Sequence, residues 1–124
     1  MKKLFVSVPM KDRRQEDILH SIKRMHEIAE IMIGEKLEII PTYIQEGAPD
    51  GCKEPVWYLG ESLKKLSQAD YMAKTDLSWQ YPGCHTESEV ADLYGIPTIR
   101  INHKYVCPDL VKEEPTEQVI DPFE

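Results

Sequence analysis

The sequence predicts an α/β fold. It would be a small flavodoxin-like, Rossmann-like three-layer sandwich on a parallel sheet of four to five strands, in the order 2-1-3-4 with the tail as source of a fifth. Three observations predict it. Short apolar runs ended by Pro or Gly alternate with stretches of helical period, giving the order βαβ-αβαβ. The first run is apolar on both faces, as a central parallel strand must be. The chain has 124 residues, 41% hydrophobic and 30% charged, which is the size and balance of one domain.

Leu4-Phe5-Val6-Ser7-Val8 is the first strand, stopped by Pro9. Ile18, Ile22, Met25, Ala29 and Met32 then recur at three- and four-residue spacing, so they mark the buried face of a helix. Asp12 and Gln15 offer a capping box at its start, Asp17 suits the helix dipole, and Gly34 ends it. Leu37-Glu38-Ile39-Ile40 is the second strand. Residues 43–56, with two Gly and two Pro, read as a long loop of the kind that carries function. A second helix spans 57–68 on Trp57, Leu59, Leu63 and Leu66. Tyr71-Met72-Ala73-Lys74 is a third strand, 75–83 a loop, and 84–94 a third helix that stops at Gly95. Thr98-Ile99-Arg100-Ile101 is the fourth strand. Residues 1–107 thus make one α/β domain, and 108–124 an acidic, Pro-containing tail with one short helix near its start.

The formal charge is −7, so the chain is a poor general ligand for nucleic acid, whose affinity rests on neutralised phosphates. No apolar run approaches the length of a membrane span, and the apolar segment after Met1-Lys2-Lys3 is too short for a signal peptide. Three cysteines without CxxC spacing fit a reduced, cytoplasmic setting. Charge is uneven: residues 1–25 carry a net +4 and residues 105–124 a net −5. The basic cluster either faces an anionic ligand or is a solvated surface.

Ligands of open parallel sheets bind at the carboxyl ends of the strands, where the winding reverses. Here that crevice lies between strands one and three, between residues 7–14 and residues 75–87. Glu87 is the carboxylate of interest. Placed in the first turn of helix three, it would be held ionised by the helix N-terminus, and a carboxylate nucleophile suits attack on an anomeric carbon. Glu is also frequent in first turns for the dipole alone. Cys84 is either a thiol of lowered pKa at the same helix end or a packing residue. The four histidines have no metal-ligand spacing, so neither a metal nor an organic cofactor is expected. Lys11, Arg13 and Arg14 follow strand one, where a phosphate would be gripped.

Several segments together resemble the nucleoside 2-deoxyribosyltransferase-like superfamily, and within it a branch of small bacterial and phage proteins. They are Phe5-Val6-Ser7-Val8-Pro9-Met10, Glu46-Gly47-Ala48-Pro49, Val56-Trp57-Tyr58-Leu59-Gly60 with Ser62-Leu63, Ala69-Asp70, and Gly83-Cys84-His85-Thr86-Glu87 with Ala91 and Tyr94-Gly95-Ile96. The resemblance covers roughly residues 4–101. It implies cleavage of the N-glycosidic bond of a nucleoside or nucleotide, by transfer or by hydrolysis. It also implies Glu87 as nucleophile, since Ala91 and Gly95 follow it at the family spacing. On that reading Ser7, Pro9 and Met10 would contact the substrate through backbone groups, with Gly83 and Cys84 beside them. Lys11, Arg13 or Arg14 would favour a phosphorylated ligand, and Ser62 would either bond a sugar hydroxyl or pack at the start of helix two. Homo-oligomers are implied too, with the tail from Pro115 to Glu124, anchored by Phe123, either reaching a neighbour's site or remaining solvated.

Three positions depart from the superfamily pattern. Phe5 stands where a Tyr hydroxyl orients the glutamate. Ser62, beside Glu61, stands where an Asp is usual. Tyr81 stands where an Asp or Ser is usual. Glu61, Asp76 and Tyr81 are candidate substitutes. The alternative left open is a non-catalytic nucleotide-binding module with the same crevice.

Overall fold

The structure is a computed structural model and describes residues 1–42 and 47–111. Glu46 and the tail from Lys112 onward, with Phe123, lie outside the described residues. Four strands form one sheet: β1 (Lys2–Ser7), β2 (Leu37–Ile39), β3 (Tyr71–Thr75) and β4 (Thr98–Ile101). The order is β2-β1-β3-β4 and every pairing is parallel. Three helices join them: α1 (Gln15–Ile33), α2 (Glu54–Leu66) and α3 (Pro82–Leu93). The expected α/β architecture and strand order are therefore present. After β4 the described chain makes two 3-10 turns, His103–Tyr105 and Pro108–Leu110, and adds no fifth strand before it reaches residue 112.

Strand alternation divides the core into two layers. Leu4 and Val6 on β1, with Val8 just after it, turn to one face and pack with Met25 and Ala29 of α1, together with Ala73, Ile101 and Val106. Phe5 turns to the other face and packs with Leu66 of α2, Met72 and Ala91 of α3. Residue 7 shares the face of residue 5, but there a hydroxyl replaces hydrocarbon.

Three element starts differ from expectation, each for a local reason. Asp12 and Gln15 form no capping box. Asp12 instead adopts φ 60° in a turn closed by the Arg13 N–H on the Met10 carbonyl at 3.2 Å, and Arg14 becomes the cap residue. Helix α2 begins three residues early, at Glu54, with Pro55 in its first turn. Helix α3 begins two residues early, with Pro82 in its first turn. Proline suits that position because the N–H it lacks would have no helical partner there. Gly34 ends α1 as expected, with φ 85° and its N–H on the Glu30 carbonyl at 2.8 Å. No helix among the described residues is long and apolar enough to cross a membrane.

Candidate active site

The carboxyl end of β1, Thr42 after β2, the first turns of α3 and one face of α2 line a cavity of about 220 Å3. Strand β1 contributes Phe5 and leads into Met10 and Lys11. Helix α2 contributes Pro55, Tyr58, Leu59 and Ser62, which recur at helical spacing and so share one face. Helix α3 contributes Gly83, Cys84 and Glu87 at its start, preceded by Tyr81. The wall is mostly apolar, with few polar groups, which is the usual character of a small-molecule site.

Glu87 is the sixth residue of α3, because Pro82 opens the helix; no acid occupies the first turn. The expected stabilisation by the helix N-terminus is therefore weak at this position, since it fades beyond the first turn. Burial dominates instead. Glu87 is 7% exposed, and burial pushes its carboxyl up to about 7, against a hydrogen bond from Ser7 that favours the charged form. Ser7 Oγ donates to Glu87 Oε1 at 2.7 Å, and both groups are buried. Of the two readings of Cys84, burial favours the packing residue. Burial pushes its thiol up to about 12, opposed by Ser7, so the neutral thiol packs beside Glu87. Burial likewise raises the Tyr81 phenol, which stays protonated.

Met10, Ser62, Tyr81, Gly83, Cys84 and Glu87 thus meet at one cavity, with Ser7 behind Glu87. Arg13, Pro9 and Asp76 are placed elsewhere. The Arg13 side chain is fully buried and forms a fork to Asp109, with Nε and Nη2 each 2.8 Å from a carboxylate oxygen. It also donates to the Pro9 carbonyl and to Ser21 Oγ, both at 2.7 Å. Pro9 is itself buried, with its carbonyl taken by Arg13. Asp76 accepts from the His103 backbone N–H at 2.7 Å and lies 3.1 Å from its Nδ1, tying the end of β3 to the end of β4. Glu61 pairs with Lys64 at 2.8 Å along α2. Among the described lining residues, Glu87 is the one carboxylate and Lys11 the one cation. Among the described residues, no three His, Cys, Asp or Glu side chains converge as metal ligands would.

Sequence reasoning missed Tyr58, Leu59 and Thr42 as wall residues. The first two had a signal, since positions 55, 58, 59 and 62 form one face of a helix once that helix is started at residue 54. Trp57, more conspicuous in sequence, packs edge-on against Tyr58 at 5.1 Å between ring centroids and does not line the cavity. Ser7 is expected to meet ligand through its backbone; its side chain is taken up by Glu87, a pairing the sequence did not show.

Comparison with protein-family models and with curated proteins finds no match. Among solved structures, the 2-deoxyribosyltransferase of the psychrotolerant bacterium Bacillus psychrosaccharolyticus aligns over 82% of this chain and 72% of its own, at 16% identity and a TM-score of 0.52. The fold that builds this cavity is one shared with a 2-deoxyribosyltransferase.

Proposed function

We propose that the protein cleaves the N-glycosidic bond of a nucleoside or nucleotide, with Glu87 as nucleophile. One observation carries the reading: a buried carboxylate, held by one hydroxyl, on the wall of an apolar cavity at the switch point of this fold. A Glu87 oxygen attacks the anomeric carbon, and the electron pair of the bond to the base leaves with the base, which takes up a proton. The glycosyl ester is then opened by water or by a second base. Tyr58, Tyr81, Thr42 and Ser62 carry the hydroxyls available to base and sugar on this wall. Lys11 makes no ion pair among the described residues, so it favours a substrate carrying a 5′-phosphate over the neutral nucleoside.

A second reading, a nucleotide-binding module without turnover, is favoured by one fact. Glu87 has no second carboxylate beside it among the described lining residues to protonate the leaving base. A base-release assay separates the two. Ribo- and deoxynucleosides and their monophosphates are incubated with the protein, and free base is resolved by chromatography. The proposal expects release that disappears in Glu87→Ala, and monophosphates preferred until Lys11→Gln removes the preference. Saturable binding of the panel with no free base would establish the binding module instead.

A further inference from the structure

We infer that Ser7 is the positioning residue for Glu87: its hydroxyl pins one carboxylate oxygen and leaves the other as the attacking atom. This rests on the glycosidic reading above. Side chains two apart on a strand share a face, so Phe5 and Ser7 both point from β1 toward the α2–α3 layer. Phe5 fills its share of that face with hydrocarbon and has no donor to offer. Ser7, 1% exposed and in register with Lys74 of β3, offers a hydroxyl one step nearer the carboxyl edge.

That hydroxyl reaches Glu87 Oε1 at 2.7 Å, and Glu87 has no other hydrogen-bond or ion-pair partner among the described residues. Oε2 therefore has no donor from those residues, on a side chain that lines the cavity. A hydroxyl donating to a carboxylate is charge-assisted and roughly twice as strong as a neutral pair. It is also directional, so it restricts a side chain that has several rotatable bonds to one presentation. The anchor itself is stiff, because Ser7 has one side-chain torsion and sits on one of the two interior strands of the sheet. Cys84, one turn before Glu87 on the same helix, is a weak donor and no substitute. The same Ser7 bond favours the charged carboxylate against burial. Ser7 thus acts on both the aim and the ionisation of the nucleophile.

The test uses the full chain with 13C-labelled glutamate carboxyls and three variants: Ser7→Ala, Ser7→Cys and Ser7→Thr. Glu87 is titrated by NMR, and kcat and KM for base release are measured across pH. In Ser7→Ala the Glu87 midpoint moves up by about one unit, the value of one charge-assisted bond. The acid limb of kcat/KM moves with it. The kcat falls about tenfold or more with KM little changed, and Ser7→Thr, which keeps the hydroxyl, recovers most of the loss. Ser7→Cys preserves the packing without a strong donor, so it shows the same shifts if Ser7→Ala fails to fold. A midpoint and an acid limb that stay in place in Ser7→Ala or Ser7→Cys, or a loss confined to KM, overturn the positioning role alone. No base release from the wild-type chain overturns the glycosidic reading and the positioning role with it.

Discussion

Glu87 is 7% exposed on a wall that is mostly hydrocarbon, so ionising it there works against folding. Its folded pKa, about 7, stands above the ordinary 4.5. Between those two values the folded chain holds a proton that the unfolded chain has lost. Stability contributed by the neutral form is full below pH 4.5 and is lost as pH rises through about 7. Glu87→Gln removes the ionisation and keeps the shape. The variant is expected to match wild type near pH 4 and to exceed it by up to about 3 kcal/mol near pH 8, measured by urea unfolding at each pH. A difference that does not change with pH would mean Glu87 is not buried in its charged form. Glu87 itself was legible in the sequence as the carboxylate of interest. Its electrostatics were not, because they depend on burial and on a bond from Ser7, 80 positions away. Two residues, Pro82 and Gly83, read as loop, and their inclusion in the helix moves Glu87 out of the first turn.

At the scale of elements, the loop from β1 to α1 carries Met10 and Lys11 to the cavity, and its conformation depends on Arg13. That guanidinium is fully buried and gripped by Asp109 from the far end of the described chain. The Arg13 fork holds the Asp109 carboxyl below its usual range, despite partial burial. Removing one partner of such a pair leaves a buried charge uncompensated. Asp109→Ala is expected to cost about 3 kcal/mol, read as a fall in urea midpoint, and to weaken ligand binding through the loop. Arg13→Met in the same chain should restore part of the stability. If Asp109→Ala melts like wild type, the pair is a surface contact only. The sequence placed Arg13 correctly after β1 and gave it to a phosphate. The residue that claims it lies 96 positions away, and no local pattern connects them. The partner of Asp76, His103, is hidden from local pattern in the same way, 27 positions on.

For the whole molecule, the sheet order and the two-faced core followed from pattern alone. Strands that alternate with helices allow few right-handed topologies, and β1, apolar on both faces, had to be central. The crevice followed in turn from the strand order, and six of the ten expected site residues line it. What pattern could not supply is which polar groups pair across the core. Ser7 to Glu87, Arg13 to Asp109 and Asp76 to His103 all bridge segments distant in sequence. Those three pairings decide which side chains are left to meet a ligand.

The central claim is that Glu87 forms a bond to the sugar. Intact-protein and peptide mass spectrometry, after acid quenching of the protein mixed with a substrate from the base-release panel, tests it directly. The account predicts a mass gain equal to the bound sugar, carried by the peptide that contains Glu87 and absent from Glu87→Gln. Base release at full rate from Glu87→Gln, or a sugar adduct on any other residue, would contradict it.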